Sequence, residues 1–536
     1  MPVGKLFVTT PLVATALLAL SIQPAAMQRA ATSASVQVEE STIAGIHAAF
    51  RTRALTCRAL VDAYLARIDA FDKAGPTLNA IVVVNPRARA EADALDAAFA
   101  SRGLTGPLHC VPAIVKDNFE TTGLQSADGS LALKGFVSDR DAFLVKRIKD
   151  AGAIVLAKSN MAEFAFSPLE TVNSILGTTK NPYALDRVPA GSSGGTAAAV
   201  AANFGLIGLG SDTGNSIRGP SSHNALVGIR STMGLTSRAG VIPLSYLADV
   251  AGPMTRTVAD AAAVFQVIVG EDPDDPMTAR SHGRALPNYA SALKKDGLKG
   301  ARIGVLHQAY ERANAPADPE ILRIFAQAIA DLTSAGATIV DEVRVELPPR
   351  AQGAGACRGF KYDINEYLAT RGANAPVHSL DELMASPTVA SFPATVKQRA
   401  QQAAAAPIGQ GPDSDACKAD AAYRQTYGAA ITATMDAATL DALIYPTWSQ
   451  PPQLIGQTSQ QTAGDNNQTF SPTSGFPAIT VPMGYSRDNA LPIGMSLLGR
   501  AWSEATLLRL AYAYEQATHH RRAPVSTPTL PTTVKK

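Results

Sequence analysis

Between Pro189 and Pro220 the chain reads PAGSSGGTAAAVAANFGLIGLGSDTGNSIRGP, with glycine at 191, 194, 195, 205, 208, 210, 214 and 219 and serine at 192, 193, 211 and 216. Glycine at this density lets a backbone take positive φ and approach other groups closely, as phosphate loops, dinucleotide turns and nucleophile loops all require. A phosphate-binding loop needs G-x-x-x-x-G-K-[ST], and no lysine occurs between Lys180 and Arg230. A dinucleotide turn needs G-x-G-x-x-G, and after Gly208-Leu209-Gly210 the next glycine, Gly214, comes one residue late. Serine chemistry remains: a hydroxyl nucleophile, a base to take its proton, and N–H donors for the developing oxyanion.

Gly191-Ser192-Ser193-Gly194-Gly195 fits the G-x-S-x-G elbow, with Ser193 as its nucleophile. That elbow needs a strand directly before it, and Pro182 and Pro189 stand there instead, where a central strand does not tolerate them. It also needs an acid and a histidine downstream. Of His223, His282, His307, His378, His519 and His520, none lies in an obvious loop after a clear strand. Without histidine the base can be a lysine, because burial disfavours the ammonium and lowers a pKa of about 10.4. Lys116 closes the apolar run Val111-Pro-Ala-Ile-Val115, so a strand would carry it inward. On residue type alone, a strand-end lysine snorkelling to solvent is the ordinary case.

Several separated segments bear on that choice together. Val115-Lys116-Asp117-Asn118, Gly191 to Gly195, and Gly210-Ser211-Asp212-Thr213-Gly214-Asn215-Ser216-Ile217-Arg218 resemble the amidase signature family, whose members use a Ser-cisSer-Lys triad. Leu156 to Asn160, Gly252 to Asp260, Gly475 to Pro482, Leu491 to Gly494 and Glu504 to Leu508 resemble further family segments, in family order. Residues 40 to 270 and 470 to 517 carry the likeness well and the middle loosely; Phe360 to Leu368 resembles the branch that includes bacterial peptide amidases. The resemblance implies Lys116 as base, Ser192 as bridging serine after a cis Gly191–Ser192 peptide, and Ser216 as nucleophile. It further implies an oxyanion hole of backbone N–H groups from Thr213, Gly214, Asn215 and Ser216, an acyl pocket passing Ala165, and no cofactor or metal. Three positions depart from the family pattern. Asn215 stands where glycine is usual, which left-handed φ at an asparagine would allow. Gly219 to His223 replaces a more apolar continuation, and Cys110 takes a usual glycine position. Asp212, Arg218, Asp249 and Arg256 read as structural charges, and His223 as a buried or capping residue.

The elements that must hold these residues alternate. Helical spacing covers Ala54 to Phe71, Pro86 to Ala100, Asp141 to Ala151, Thr257 to Val269, Pro319 to Ser334 and Ser503 to Ala517. Strand-like runs cover Leu108 to Val115, Ile154 to Ala157, Ile303 to Leu306, Thr338 to Val343, Leu443 to Tyr445, Ala478 to Pro482 and Ile493 to Leu498. No convincing linker separates them, so residues 36–536 are expected to form one large α/β domain, and the resemblance implies an α/β/α fold with a central mixed, mostly parallel twisted sheet covered by helices. Two segments, 379–415 and 446–473, break the alternation and are expected to be irregular, substrate-region insertions.

The 536 residues are 46% hydrophobic and 17% charged, with 47 Lys+Arg against 45 Asp+Glu, a balance that argues against disorder and against a nucleic-acid partner. Lys5 followed by the apolar stretch Leu6 to Leu20 reads as an export signal over residues 1–35, too short for a confident membrane span; an N-terminal anchor is the other reading. Export implies a periplasmic or secreted protein with no stable membrane insertion after signal removal. Of the four cysteines, Cys357 and Cys417 are the favoured bridge, with two buried thiols as the alternative, while Cys57 and Cys110 read as core residues. The expected activity is hydrolysis of a small-molecule amide, aryl or alkyl or a peptide C-terminal amide, with esters and carbamates open to the same acyl-enzyme, by a monomer or homodimer. A non-hydrolytic or ammonia-supplying component of a transamidation-type complex is the alternative.

Overall fold

A computed structural model describes residues 1, 4–9, 37–350, 354–458 and 460–530. The expected export signal lies almost wholly outside the described residues; among those described, no helix is long and apolar enough to cross a membrane. Residues Val36–Pro531 pack as a compact unit around an eleven-stranded sheet. Its strands are β1 (Ile81–Val84), β2 (Pro112–Lys116), β3 (Ile154–Ser159), β4 (Ile207–Asp212), β5 (Val227–Arg230), β6 (Val250–Thr255), β7 (Arg302–Leu306), β8 (Thr338–Val343), β9 (Ala442–Pro446), β10 (Ala478–Ser486) and β11 (Leu491–Leu498). The spatial order is β1-β3-β2-β4-β6-β5-β10-β11-β9-β7-β8.

The sheet is mixed, as expected, but its parallel share is smaller than expected. Parallel pairing is confined to β3–β2–β4 and to β8–β7–β9; the other neighbours run antiparallel. β2, β3, β4 and β6 are buried along their whole length. Continuous apolar strands of this kind belong in a sheet covered on both faces. Lys116, at the C-terminal end of β2, is therefore enclosed rather than snorkelling, with 0% exposure.

Two sequence expectations are corrected. Cys57 and Cys110 are buried, but they are a disulfide, Cα atoms 5.7 Å apart, joining the helix Cys57–Phe71 to the chain two residues before β2. Helical and strand-like patterning registers burial, while the pairing depends on where two distant elements meet. Cys357 and Cys417 form the second bridge. Segment 379–415 is also not irregular: it holds the helices Leu380–Ala385 and Ala394–Ala405 with a 3₁₀ stretch at Pro387–Ser391. These short helices bury few residues each, Leu380, Leu383, Val389, Phe392 and Val396 among them, so no long apolar period accumulates in the sequence. Segment 446–473 is mostly irregular, as expected.

Candidate active site

The ends of β2 and β4, the turn 189–193 and the turn 162–170 meet at one point. Lys116 Nζ lies 2.7 Å from Ser192 Oγ and 2.8 Å from Ser211 Oγ, and Asn118 Nδ2 donates to the same Ser211 oxygen at 3.1 Å. Burial brings Lys116 down to about 8, against the pull of the Asp128, Asp249 and Asp212 carboxylates. A lysine so placed has hydroxyls as its hydrogen-bond partners.

The Gly191–Ser192 peptide is cis, as the resemblance implied. Gly191 could be no other residue: a Cβ there would fall 2.4 Å from the carbonyl oxygens of both Ser167 and Glu170. Gly191 N donates to Pro168 O at 2.8 Å, and Ser192 O accepts from Ala162 N at 3.0 Å, so the turn 162–170 cradles this peptide. Ser193 opens the helix Gly194–Ala201 and its hydroxyl is committed to Ser211 O at 3.1 Å. No strand precedes it, in keeping with the two prolines.

Ser216 joins the same turn through its carbonyl, which accepts from Ser193 N at 3.3 Å. Among the described residues its hydroxyl has no hydrogen-bond partner, and the backbone N–H groups of Thr213, Gly214, Asn215 and Ser216 donate to no protein acceptor. The loop is held from outside. Asp212 accepts from Ile217 N and from both Arg218 and Arg230; burial alone would raise its carboxyl, but the two guanidiniums hold it down to about 2. Asp249 accepts from Thr213 Oγ1 at 2.5 Å and from Leu244 N and Ser245 N. Arg256 donates to the carbonyls of Ser41, Val200 and Gly205. Burial pushes His223 down to about 3, and its ring stacks on Trp448 at 4.7 Å, so it is neutral near pH 7.

Asn215 does not take a left-handed φ. It is accommodated for another reason: Gly219 leaves room, since a Cβ at 219 would sit 2.7 Å from Asn215 Nδ2. Ala165 ends a 3₁₀ turn, Glu163–Ala165, with φ +56°, and is not in an α-helix. It adjoins an aromatic wall that sequence reading missed: Phe166 and Phe360 centroids lie 4.7 Å apart, and Phe164 and Phe392 5.8 Å. One variable segment reaches this wall and the other reaches the loop before Ser216. Arg399 donates to Phe166 O, and Gln468 Oε1 would lie 2.4 Å from a Cβ on Gly214. Ser211 was also missed as a lysine partner; its sequence signal was its place on a strand one residue before the Asp212 loop.

The family model described as Amidase matches residues 59–508. The A-type component of the glutamyl-tRNA(Gln) amidotransferase of Moorella thermoacetica is 36% identical over 481 residues, 86% of this chain and 93% of that protein. The solved peptide amidase from Stenotrophomonas maltophilia is 37% identical with a TM-score of 0.79, covering 91% of this chain and 98% of that one. A bacterial aryl acylamidase of the amidase signature family superposes with a TM-score of 0.73 at 25% identity, over 89% of this chain and 96% of that one.

Proposed function

Because this chain belongs to the amidase signature family and is an amide-hydrolysing enzyme, we propose that it cleaves its substrate through an acyl-enzyme on Ser216, with Lys116 as base and Ser192 as the relay between them. The observation that carries this reading is the 2.7 Å approach of Lys116 Nζ to Ser192 Oγ, in a setting where burial favours the free amine. Neutral Lys116 takes the Ser192 proton as Ser192 Oγ takes that of Ser216, and Ser216 Oγ attacks the carbonyl carbon. The oxyanion is met by the unengaged N–H groups of Thr213, Gly214, Asn215 and Ser216, each such donor contributing roughly 3 to 4 kcal/mol in measured oxyanion holes. The relay then returns a proton to the leaving nitrogen as the C–N bond breaks, and water releases the acyl group. Nothing in this relay recognises the leaving atom, so esters and carbamates are open to it.

Aryl or alkyl amides and peptide C-terminal amides are the proposed substrates, supported by the likeness to a peptide amidase and an aryl acylamidase and by the aromatic wall beside Ala165. Ser216→Ala and Lys116→Ala are expected to lower kcat on a small anilide and on a peptide amide by at least roughly a thousandfold, as removal of triad members does elsewhere. Undiminished turnover by Ser216→Ala would sink the assignment. The relative named as part of an amidotransferase favours a second reading, an ammonia-supplying component of a larger complex; co-purification with a stable partner, and no hydrolysis without it, would select that reading.

Export with removal of residues 1–35 is proposed as well, supported by the Lys5-led apolar start and by two disulfides, which persist in oxidising compartments. Protein recovered from the periplasmic or culture fraction should have the mass of the shortened chain; an intact Met1 counts against cleavage.

A further inference from the structure

Asp128 is a buried carboxyl beside the proposed base. It is 1% exposed, and neither of its side-chain oxygens has a hydrogen-bond partner among the described residues. Its backbone is fixed from three directions. Asp117 Oδ2 accepts from the N–H groups on either side of it, Ala127 at 3.2 Å and Gly129 at 3.1 Å. Its own carbonyl accepts from Phe164 N at 3.0 Å, and its φ is +52°. The loop 127–129 is thereby joined both to the end of β2 and to the turn Glu163–Ala165.

The charged groups acting on Asp128 are Lys116, which favours its ionisation, and Asp117, Glu163 and Asp249, which oppose it together with burial; the net effect lifts the carboxyl well above the usual carboxylate range. Lys116 does not serve as its partner, because its amino group is directed to the Ser192 and Ser211 hydroxyls. Leaving a buried polar group without a partner is costly, and a fixed backbone prevents this one from turning away to find a donor. A bound molecule that brings a donor removes that cost.

On the amidase reading above, we propose that Asp128 is a specificity-determining residue that accepts hydrogen bonds from an ammonium or N–H group on the acyl portion of the substrate, beside the scissile carbonyl. The acyl side is favoured because an acyl chain running towards Ala165 passes the loop that Phe164 N holds. Amino-acid and peptide amides carry such a donor; simple alkanoyl and aroyl amides do not. No covalent step is added, since the group only binds and, on meeting an ammonium, gives up its own proton to solvent.

L-Alanine 4-nitroanilide and propionyl 4-nitroanilide differ by that ammonium alone and form the test pair. Wild type is expected to favour the alanyl substrate at least tenfold in kcat/KM, and Asp128→Asn and Asp128→Ala to lower that ratio at least tenfold, chiefly through KM. The ratio is insensitive to a uniform loss of folded enzyme. Independently of any variant, L-alaninamide should inhibit wild-type propionyl anilide hydrolysis at least tenfold more tightly than propionamide. No preference in wild type, or a ratio unchanged in both variants, overturns the assignment of Asp128 and leaves the amidase reading standing. Failure of wild type to cleave either anilide overturns the reading itself and the assignment with it.

Discussion

Two buried lysines lie on adjacent strands, and burial brings both down to about 8. Lys158, on β3, gives its protons to Phe119 O at 2.6 Å, Gln125 O at 3.0 Å and Ser126 Oγ. The Ser126 hydroxyl itself donates to Phe119 O at 2.9 Å, and carbonyls cannot pass a proton on, so Lys158 pins the turn after β2, whereas Lys116 meets the Ser192 and Ser211 hydroxyls. The difference was invisible in sequence, where both close apolar runs, and only the accompanying motifs singled out Lys116. The free amine is the working form of Lys116. With a folded value of about 8, kcat/KM should rise about tenfold per pH unit below that value and level off above it, as a pH–rate profile would read directly. A flat profile between about pH 6 and 9 would remove Lys116 as the titrating base. Ser211→Ala takes away one of the two hydroxyls that fix the Nζ position; a fall in kcat of roughly 10- to 100-fold with little change in KM is expected, since misorienting a base by even a small distance is costly.

β2 and β4 were the elements hardest to read in proportion to their importance. β2 was seen as the apolar run ahead of Lys116, but the residues of β4, IGLGSD, read as part of a glycine loop, and β6 was missed as well. Their strand character comes from pairing, β4 lying between β2 and β6 with all its residues buried. The start of β2 is also anchored covalently through Cys110, which holds a φ of +55° where the family usually has glycine. Its bridge to Cys57 spans 53 residues of sequence, for which loop-closure entropy gives a stabilisation of about 4 kcal/mol. Cys57→Ser is expected to lower the unfolding free energy by an amount of that order, read as a lower denaturation midpoint, and a reductant to lower the midpoint in wild type. An unchanged midpoint in both would mean that native contacts alone hold the helix against β2.

At the scale of the molecule, the described chain is closed on itself by Arg67, which is 1% exposed. Its guanidinium pairs with Glu39 near the start of the compact unit and donates to Ala202 O and Asn203 O after the helix Gly194–Ala201, and to Thr527 O and Pro528 O near its end. Deleting residues 523–536 removes two of those acceptors from a buried cation. It should cost about 1 to 3 kcal/mol, read as a lower midpoint in chemical denaturation, while leaving the residues around Ser216 in place. No loss of stability would show that the tail only rests on the surface.

The sequence by itself determined the family and the α/β class, and through the resemblance it marked Lys116, Ser192 and Ser216 as the set proposed above, because the motifs that carry the resemblance are short, contiguous and read locally. Rejecting Ser193 also needed only the prolines before it. Tertiary structure decided what depends on distant elements meeting: that Lys116 is enclosed and faces hydroxyls, that Ser211 shares it, that Cys57 finds Cys110, that Phe164, Phe166, Phe360 and Phe392 form one wall, and that Asp128 has no partner among the described residues. Each of these is a relation between residues tens to hundreds of positions apart, and local patterning carries no information about which of them will touch.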